Sequence, residues 1–311
     1  MYVHAAQETI GTPPNSNSQT LAPTIDVSGC PMLPGCPEGT SVPLPPGQRP
    51  TIQEPKPNGS LNGASNGNPK GMQISTGSGK YAGMIRIPAG QFLMGSTNGF
   101  SRPDESPAHN VYLKEYYISK HEITAELYCR FLNSAGLHRK DKMPRIDLGN
   151  PECPVIWNGD SFVPKQGMED KPIVCVSWYG AADFAKWMGG RLPTSAEWEK
   201  AALLTTLQPP GDFLTLLKRE SSSPVQVSDP GKLGIRGMKG NVWEWCADWY
   251  DKNYYANSPS TNPLGPPLGT EKEIRGGSWA SAESSKRITN RHKAPPQGYF
   301  RTIGFRIVKD R

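Results

Sequence analysis

The sequence predicts an α+β domain in which short strands and a few helices are joined by much irregular structure. The 311 residues include 33 glycines and 32 prolines, and only 35% of them are hydrophobic. Turn-forming residues at this density are unusual in helical or doubly wound proteins, whereas they are typical of short strands, turns and loops. The apolar segments are correspondingly brief, and each has either a strand-like or a helix-like pattern.

Residues 1–80 differ in composition from the rest of the chain. They are rich in Pro, Gly, Asn, Ser and Thr and contain almost no aromatic residues. Such a segment buries too little apolar surface to offset the entropy that ordering costs. We therefore predict a disordered, extended arm or linker over 1–80, with polyproline-type stretches around 43–57, and one folded domain over 81–311.

The N-terminal residues and the net charge indicate where the protein acts and which partners they do not favour. Residues 1–7 lack the basic and apolar regions of an intact signal peptide, but they resemble the end of a processed one, so we expect an exported protein, periplasmic or at the cell surface. The net charge of +6 is scattered, which does not favour nucleic acid. No apolar run reaches the roughly 18 residues of a transmembrane helix.

Cys30 and Cys36 are interpreted as a local disulfide or two thiols, since no further ligand completes a zinc site.

The folded domain opens with strands. Segment 84–96 predicts a strand, a turn and a second strand, and the alternating segment 111–119 predicts another strand. A helix follows over 125–133. The apolar run 170–178, with its β-branched residues, predicts a buried strand.

Two capped helices follow. Ser177 is the expected N-cap of a helix over 179–188, and Thr194 is the expected N-cap of the next helix, with Glu197 completing a capping box. Arg191, between the two helices, is interpreted as half of a buried ion pair that fixes the loop. Segment 203–233 is weakly patterned.

The most informative stretch is Gly240-Asn241-Val242-Trp243-Glu244-Trp245. Glycine permits backbone conformations closed to other residues, and asparagine can hydrogen-bond its own backbone and hold a turn. In a strand, the two tryptophans would lie on one face and the carboxylate on the other.

Six motifs, in order along the chain, resemble those of the formylglycine-generating enzyme family, also called the sulfatase-modifying factor domain. The family fold is a C-type-lectin-like α+β domain with much irregular structure, in agreement with the composition. The resemblance runs from about 84 to 308. The motifs occupy 90–96, 176–178, 190–202, 240–245, 275–279 and 304–306.

The name-giving enzyme of the family oxidises a sulfatase cysteine to formylglycine, with oxygen and a copper ion held by two cysteines shortly after the Gly-Gly-Ser motif. Here the first of these positions falls at Ser281, and the second falls within 282–286, which contains no cysteine. A serine hydroxyl stays protonated near neutral pH and is a poor ligand for Cu(I), which prefers thiolates. We therefore expect no copper and assign no catalytic residue.

Related family members, which make sulfoxides in thiohistidine biosynthesis, hold iron with clustered histidines. This sequence contains no close pair of histidines, so we expect no iron. His109 and His121 are interpreted as structural. We interpret the cysteines of the folded part as small buried hydrophobic residues, with one structural disulfide or a new catalytic pair as the alternatives. They are Cys129, Cys153, Cys175 and Cys246.

Family members also bind calcium around the Gly-Asn-x-x-Glu-Trp turn, through the hard oxygen ligands that Ca²⁺ prefers. Calcium is therefore the one cofactor that the resemblance implies. Its alternative is that Glu244 forms a buried pair with Arg275 or Arg306. A second calcium site of the family falls in 203–233, and we expect it to be absent. The ligands carried over are the carbonyls of Gly237, Gly240 and Val242 and the carboxylate of Glu244.

We predict a non-catalytic binding or structural module of an exported or cell-surface protein. The partner or surface ligand would contact the arm or the 279–302 loop, whose aromatic, basic and amide side chains suit recognition. Alternatively, these side chains are simply hydrated on the surface of a loop and have no binding role. The candidate ligand-binding residues are Trp279, Ser281, Arg287, Asn290, Arg291, His292, Tyr299, Phe300 and Arg301.

Two other functions are weighed against this prediction. One is a metal-dependent oxidoreductase of the formylglycine-generating type with unfamiliar ligands. The other is a variable protein of a diversity-generating retroelement, because such proteins use the same fold and vary the stretch before the closing Gly-Phe-Arg. A neighbouring reverse transcriptase gene would support the second alternative.

Overall fold

The structure of the chain is a computed structural model that describes residues 79–97, 101–206, 221–227, 231 and 233–311. The predicted arm over 1–80, apart from its last two residues, lies outside the described residues, as do Cys30 and Cys36. The described residues belong to one compact unit.

Short elements make up the regular structure of the described residues. The strands are β1 (Met84–Ile87), β2 (Gly90–Met94), β3 (His109–Leu113), β4 (Tyr116–Ser119), β5 (Val155–Trp157), β6 (Phe162–Pro164), β7 (Trp243–Trp249), β8 (Lys272–Arg275), β9 (His292–Ala294), β10 (Ile303–Gly304) and β11 (Val308–Asp310). The helices are α1 (Ala125–Ala135), α2 (Trp178–Trp187) and α3 (Ser195–Thr206). None of these helices has the length and apolar character needed to cross a membrane.

The described strands form two sheets and two hairpins. The first sheet has the order β1–β4–β11 and is antiparallel, so it joins the beginning of the described domain to its end. The second has the order β10–β7–β8–β9, with β7 parallel to β10 and antiparallel to β8. Strands β2 and β3 pair as one hairpin and β5 and β6 as the other. The tryptophan-rich motif therefore leads into β7, one of the two inner strands of the second sheet.

The first part of the domain confirms one strand prediction and corrects another. Segment 84–96 contains β1 and β2, as predicted. Segment 111–119, however, is two strands and not one, because Leu113 pairs with β2 at Gly90, whereas Tyr116 pairs with β1 at Ile87. The chain thus changes partner strand between Leu113 and Tyr116.

Hydroxyl side chains cap all three helices, and the caps at Ser177 and Thr194 are the predicted ones. The hydroxyl of Thr124 accepts a hydrogen bond from the Leu127 N–H at 3.3 Å, and that of Ser177 accepts one from the Gly180 N–H at 3.1 Å. At α3, the Thr194 hydroxyl and the Glu197 carboxylate each accept from the other residue's N–H, at 3.1 and 2.8 Å, so the predicted capping box is confirmed.

Residues 172–177 of segment 170–178 are buried, but the segment is not the predicted strand. Its backbone contacts several separate segments: the Ile173 N–H donates to Ile123 at 2.8 Å, and the Cys175 N–H donates to Phe300 at 2.9 Å. Cys175 also has a φ of 58°, which turns the chain out of an extended ladder. An apolar run therefore marks burial here, while the pairing partners change too often for a sheet.

The interior combines two apolar clusters with buried ion pairs. Strand β7 sends Trp243 and Trp245 into one cluster and Cys246 into the other. The ion pair predicted for Arg191 is present but only partly buried: its guanidinium lies 2.6 Å from Glu197 and 2.8 Å from Asp310, and its side chain is 35% exposed. These contacts join the loop before α3 to the last strand.

Candidate functional site

A single asparagine holds the turn that precedes β7. Asn241 has a φ of 61°, in the left-handed region that asparagine tolerates better than most residues. Its side-chain oxygen accepts a hydrogen bond from the Ser223 N–H at 2.8 Å, and its amide nitrogen donates to the carboxylate of Glu122 at 2.9 Å. Asn241 therefore ties the turn to two distant segments.

Glu244 faces away from the two tryptophans, as the strand pattern predicts. Its carboxylate is fully buried and accepts two hydrogen bonds from Arg306, at 2.6 and 2.7 Å, and one from the indole N–H of Trp198 at 2.9 Å. Arg275 pairs instead with Glu199. Of the two arginines that the sequence left open, Arg306 is the partner.

A second buried carboxylate, Glu122, lies close to this pair. It is 2% exposed, and its Oε2 atom has no hydrogen-bond partner among the described residues. Removal from water raises the pKa of Glu122 to about 7; Arg306 opposes the shift, and the negative charge of Glu244 adds to it. The carboxylate lies against the Cα atom of Gly237, so a side chain at that position would overlap it.

One buried carboxylate oxygen in this region, Oε2 of Glu122, has no hydrogen-bond partner among the described residues, so it is the atom that a proton or a hard cation would satisfy. Within the described residues, no group of three or more His, Cys, Asp or Glu could hold a metal ion. A cation here would therefore depend on backbone carbonyls as well, and that donor set is typical of calcium.

The segment that resembles the copper position has a different chemistry. The Ser281 hydroxyl accepts a hydrogen bond from the Ser278 N–H at 3.0 Å and lies 3.0 Å from the Ser278 hydroxyl. The following short 3₁₀ helix, Glu283–Lys286, ends in a lysine that is 7% exposed and pairs with Glu283 at 2.5 Å. Hydroxyls thus occupy the first family cysteine position, and an ammonium–carboxylate pair lies within the segment 282–286 that contains the second.

The described cysteines are free and buried, so the disulfide alternative is wrong for them. Burial raises the pKa of Cys129 to about 12 and that of Cys153 to about 11. Burial also raises the pKa of Cys175 and of Cys246. The thiolate is the form that binds metal and attacks electrophiles, and these thiols remain protonated near neutral pH. Their interpretation as small buried hydrophobic residues is confirmed.

The predicted recognition loop lies only partly at the surface. Asn290 is 2% exposed and Arg291 is fully buried, with its guanidinium 2.8 Å from Glu273. Arg287 donates to both carboxylate oxygens of Glu105, at 2.6 and 2.5 Å. Asn290 and Arg291 are therefore corrected to structural residues, because buried side chains present no surface to a ligand. Arg287 keeps a partly exposed side chain beside Glu105 and stays a candidate.

Three more candidates make contacts within the fold while remaining partly exposed. The Tyr299 hydroxyl donates to the Pro144 carbonyl at 2.7 Å. The His292 ring lies 5.3 Å from that of Trp243, and Phe300 packs against the larger apolar cluster.

Trp279 and Arg301 do meet at the surface. The guanidinium of Arg301 lies over the indole of Trp279, 5.2 Å from its centre. Together they line a small cleft of about 90 Å³, which we call the Trp279 cleft. Its polar wall consists of Glu152, Lys165, Lys171, Ser221 and Ser222, and its apolar wall includes Pro151, Pro154 and Pro172.

Sequence reasoning missed two parts of this arrangement. Glu122 carried only a weak signal, a carboxylate placed just before a helix cap. Lys165 and Lys171 carried none, because their role depends on a cleft whose other wall lies more than a hundred residues further along the chain.

The irregular α+β architecture and the turn before β7 define a domain of the formylglycine-generating-enzyme type. The sequence model described as "Sulfatase-modifying factor enzyme 1-like domain" matches residues 72–311. The chain belongs to this family, and the fold predicted from its motifs is confirmed.

Curated relatives agree with this assignment. The chain is 35% identical over 236 residues to serine/threonine-protein kinase Pkn1 of Chlamydia trachomatis serovar L2. The aligned region covers 73% of this chain and 38% of the kinase. The chain thus spans little more than a third of that relative. It is 30% identical over 280 residues to the formylglycine-generating enzyme of Streptomyces coelicolor, with 73% of this chain and 89% of the enzyme covered.

Solved structures show the same fold. PvdO from Pseudomonas aeruginosa aligns with a TM-score of 0.60 and 26% identity, covering 73% of this chain and 94% of PvdO. Treponema denticola variable protein 1 aligns with a TM-score of 0.56 and 22% identity, also over 73% of this chain and 94% of the other. The second likeness is one of fold alone.

Proposed function

We propose that this chain is a non-catalytic sulfatase-modifying-factor-like domain that acts as a binding or assembly module of an exported or cell-surface protein. The observation that carries the proposal is the chemistry at the first family cysteine position and within the segment that contains the second. Ser281 is engaged in a turn with Ser278, and Lys286 pairs with Glu283. The four described cysteines are buried thiols, so they offer no thiolate to a soft metal.

The Trp279 cleft is the proposed contact surface. Tryptophan and arginine are the residues most enriched at energetically dominant positions of protein interfaces, and here they stack at a surface opening. The chlamydial relative supports a modular role, because the matched region is 38% of a longer protein.

An oxidoreductase of the formylglycine-generating type is the second candidate, favoured by the 30% identity to the Streptomyces coelicolor enzyme. This activity would require metal ligands other than the family's thiolate pair, whose two positions correspond here to Ser281 and to a residue within 282–286.

Purified protein should not consume oxygen with a peptide that bears the sulfatase Cys-x-Pro-x-Arg motif, even after incubation with Cu(I). The Streptomyces coelicolor enzyme is the positive control. Oxygen uptake with conversion of the cysteine, together with stoichiometric copper or iron, would contradict the binding-module proposal.

We also propose that calcium binds at the turn before β7, through the carbonyls of Gly237, Gly240 and Val242 and the carboxylate of Glu122, since both oxygens of Glu244 already accept hydrogen bonds from Arg306. When bound, calcium would neutralise the negative charge of the buried Glu122 carboxylate. The orphaned Oε2 atom of Glu122 is the observation that favours this ligand.

Calcium at about 100 times its Kd should raise the free energy of unfolding by about 2.7 kcal/mol, which is an increase of several degrees in Tm. Glu122→Gln should reduce this calcium-dependent shift, because the amide supplies no negative charge. Glu126→Gln, on the exposed side of α1, is the matched control and should respond like the parent protein. Equal calcium responses of the parent and Glu122→Gln would exclude Glu122 as a ligand, and no response of the parent would exclude the site.

A further inference from the structure

We infer that the Trp279 cleft receives an acidic side chain from an extended segment of a polypeptide partner. This inference rests on the proposed binding function and specifies the ligand. The cleft volume of about 90 Å³ corresponds to roughly three water molecules at about 30 Å³ each. That space holds the head group of one side chain, whereas a helix would have to lie outside it.

The charges of the cleft favour an anion. Among the described residues that line it, Lys165, Lys171 and Arg301 are basic and Glu152 alone is acidic, which is an excess of two positive charges. Arg301 and Glu152 form only a long surface pair of 3.9 Å, with about half of each side chain exposed. An incoming carboxylate would gain charge-assisted hydrogen bonds, which are stronger than neutral ones.

Neither lysine has a carboxylate partner in the part of the chain that the structure describes. The ammonium of Lys165 donates to the Pro151 carbonyl at 2.8 Å, and that of Lys171 lies 3.5 Å from the Ser221 hydroxyl. Each ammonium has three donor hydrogens, so both retain hydrogen-bonding capacity toward a ligand. A cationic side chain would be repelled by the same positive charges.

The apolar wall indicates that the acidic group belongs to a polypeptide. Pro151 is exposed at the cleft, Pro154 and Pro172 line it from below the surface, and Trp279 is partly exposed. Aromatic-lined grooves are typical of sites that bind extended, proline-rich segments. The neighbours of the acidic residue would cover these surfaces, which free phosphate or acetate cannot do.

The test measures fluorescence anisotropy of the full chain with three fluorescein-labelled hexapeptides, Pro-Glu-Pro-Glu-Pro-Glu and its Gln and Lys counterparts. We expect the Glu peptide to bind at least tenfold more tightly than the Gln peptide and the Lys peptide to bind most weakly. Lys165→Gln and Lys171→Gln should each weaken the Glu peptide about fivefold, the effect of one charge pair near water. Lys252→Gln, an exposed lysine outside the cleft, is the matched control and should leave binding unchanged.

The outcomes separate this inference from the proposal on which it rests. If the Lys or Gln peptide binds as well as the Glu peptide and Trp279→Ala abolishes binding, the cleft is a binding site but the acidic specificity is wrong. Failure of the Glu peptide to bind also overturns the inference. Competition by inorganic phosphate at the peptide's own Kd would show that the cleft recognises a small anion instead. The proposed function itself fails on the separate oxygen-uptake measurement.

Discussion

Replacing Arg306 by methionine should destabilise the domain by about 3–5 kcal/mol, the usual cost of removing one partner from a buried ion pair. Arg306 is fully buried, and its guanidinium donates two hydrogen bonds to Glu244. It also donates to the backbone carbonyls of Ser119 and Arg236, at 3.1 and 2.8 Å. Without it, Glu244 and Glu122 lie close together with no positive charge between them.

The measurement is equilibrium unfolding in urea, with a calcium chelator present so that no bound cation replaces the lost charge. Arg130→Ala is the control, because Arg130 is 42% exposed and pairs with Glu126 on the surface of α1. That variant should lose less than about 0.5 kcal/mol. Adding Glu244→Gln to Arg306→Met should recover part of the loss, since it removes the uncompensated charge. A loss from Arg306→Met no greater than the Arg130 control would contradict this account of the pair.

Replacing Gly180 by alanine should destabilise the domain by about 1–3 kcal/mol, the usual cost of overpacking, although Gly180 lies inside α2. Helix propensity alone predicts a gain of about 1 kcal/mol for this change. In the structure, however, an added Cβ would overlap the backbone carbonyl of Arg145 and lie 2.9 Å from the Tyr128 hydroxyl. The Arg145 carbonyl also accepts the Ser177 N–H at 3.2 Å, so moving it weakens the start of the helix.

Thermal and urea unfolding would decide the sign of this effect. Gly149→Ala is the control, because its nearest neighbour would be a side-chain oxygen of Asp147 at 3.3 Å, which can move aside. We expect little change in Tm for that variant. If Gly180→Ala stabilised the domain, the backbone at Arg145 would be able to move away from the added Cβ atom without a cost in free energy, and this explanation would be wrong.

Much of the fold could be predicted because its signals are local. The capping box joins Thr194 to Glu197, only three residues away, and the left-handed backbone at Asn241 follows from the residue type at that position. The predicted hydrogen bond of the Asn241 side chain to its own backbone is wrong, because that side chain bonds to Ser223 and Glu122 instead. The family motifs then identified the fold, and the alternation in β7 correctly placed Glu244 opposite the tryptophans. The break of segment 111–119 into two strands could not be predicted, since it depends on which earlier strand each half meets.

The candidate site was predicted less completely, because burial decides which polar residues reach a ligand. Arg291 and Arg301 have the same functional group and lie ten residues apart. Arg291 is fully buried against Glu273, whereas the side chain of Arg301 is 54% exposed beside Trp279. A pattern of aromatic and basic residues in a loop does not show which arginine is buried and which is exposed.

The sequence by itself determined the family, the helix starts, the turn before β7 and the loss of the copper cysteines, because each depends on residue identity at short spacing. The tertiary structure alone decided that Glu244 pairs with Arg306, that Glu122 lies close to them with an unpaired oxygen, and that Lys165 and Lys171 face Trp279. The residues in these contacts are between about 60 and 180 positions apart in the chain. Their meeting is set by the packing of the two sheets and the irregular segments around β7, which no local pattern of residues records.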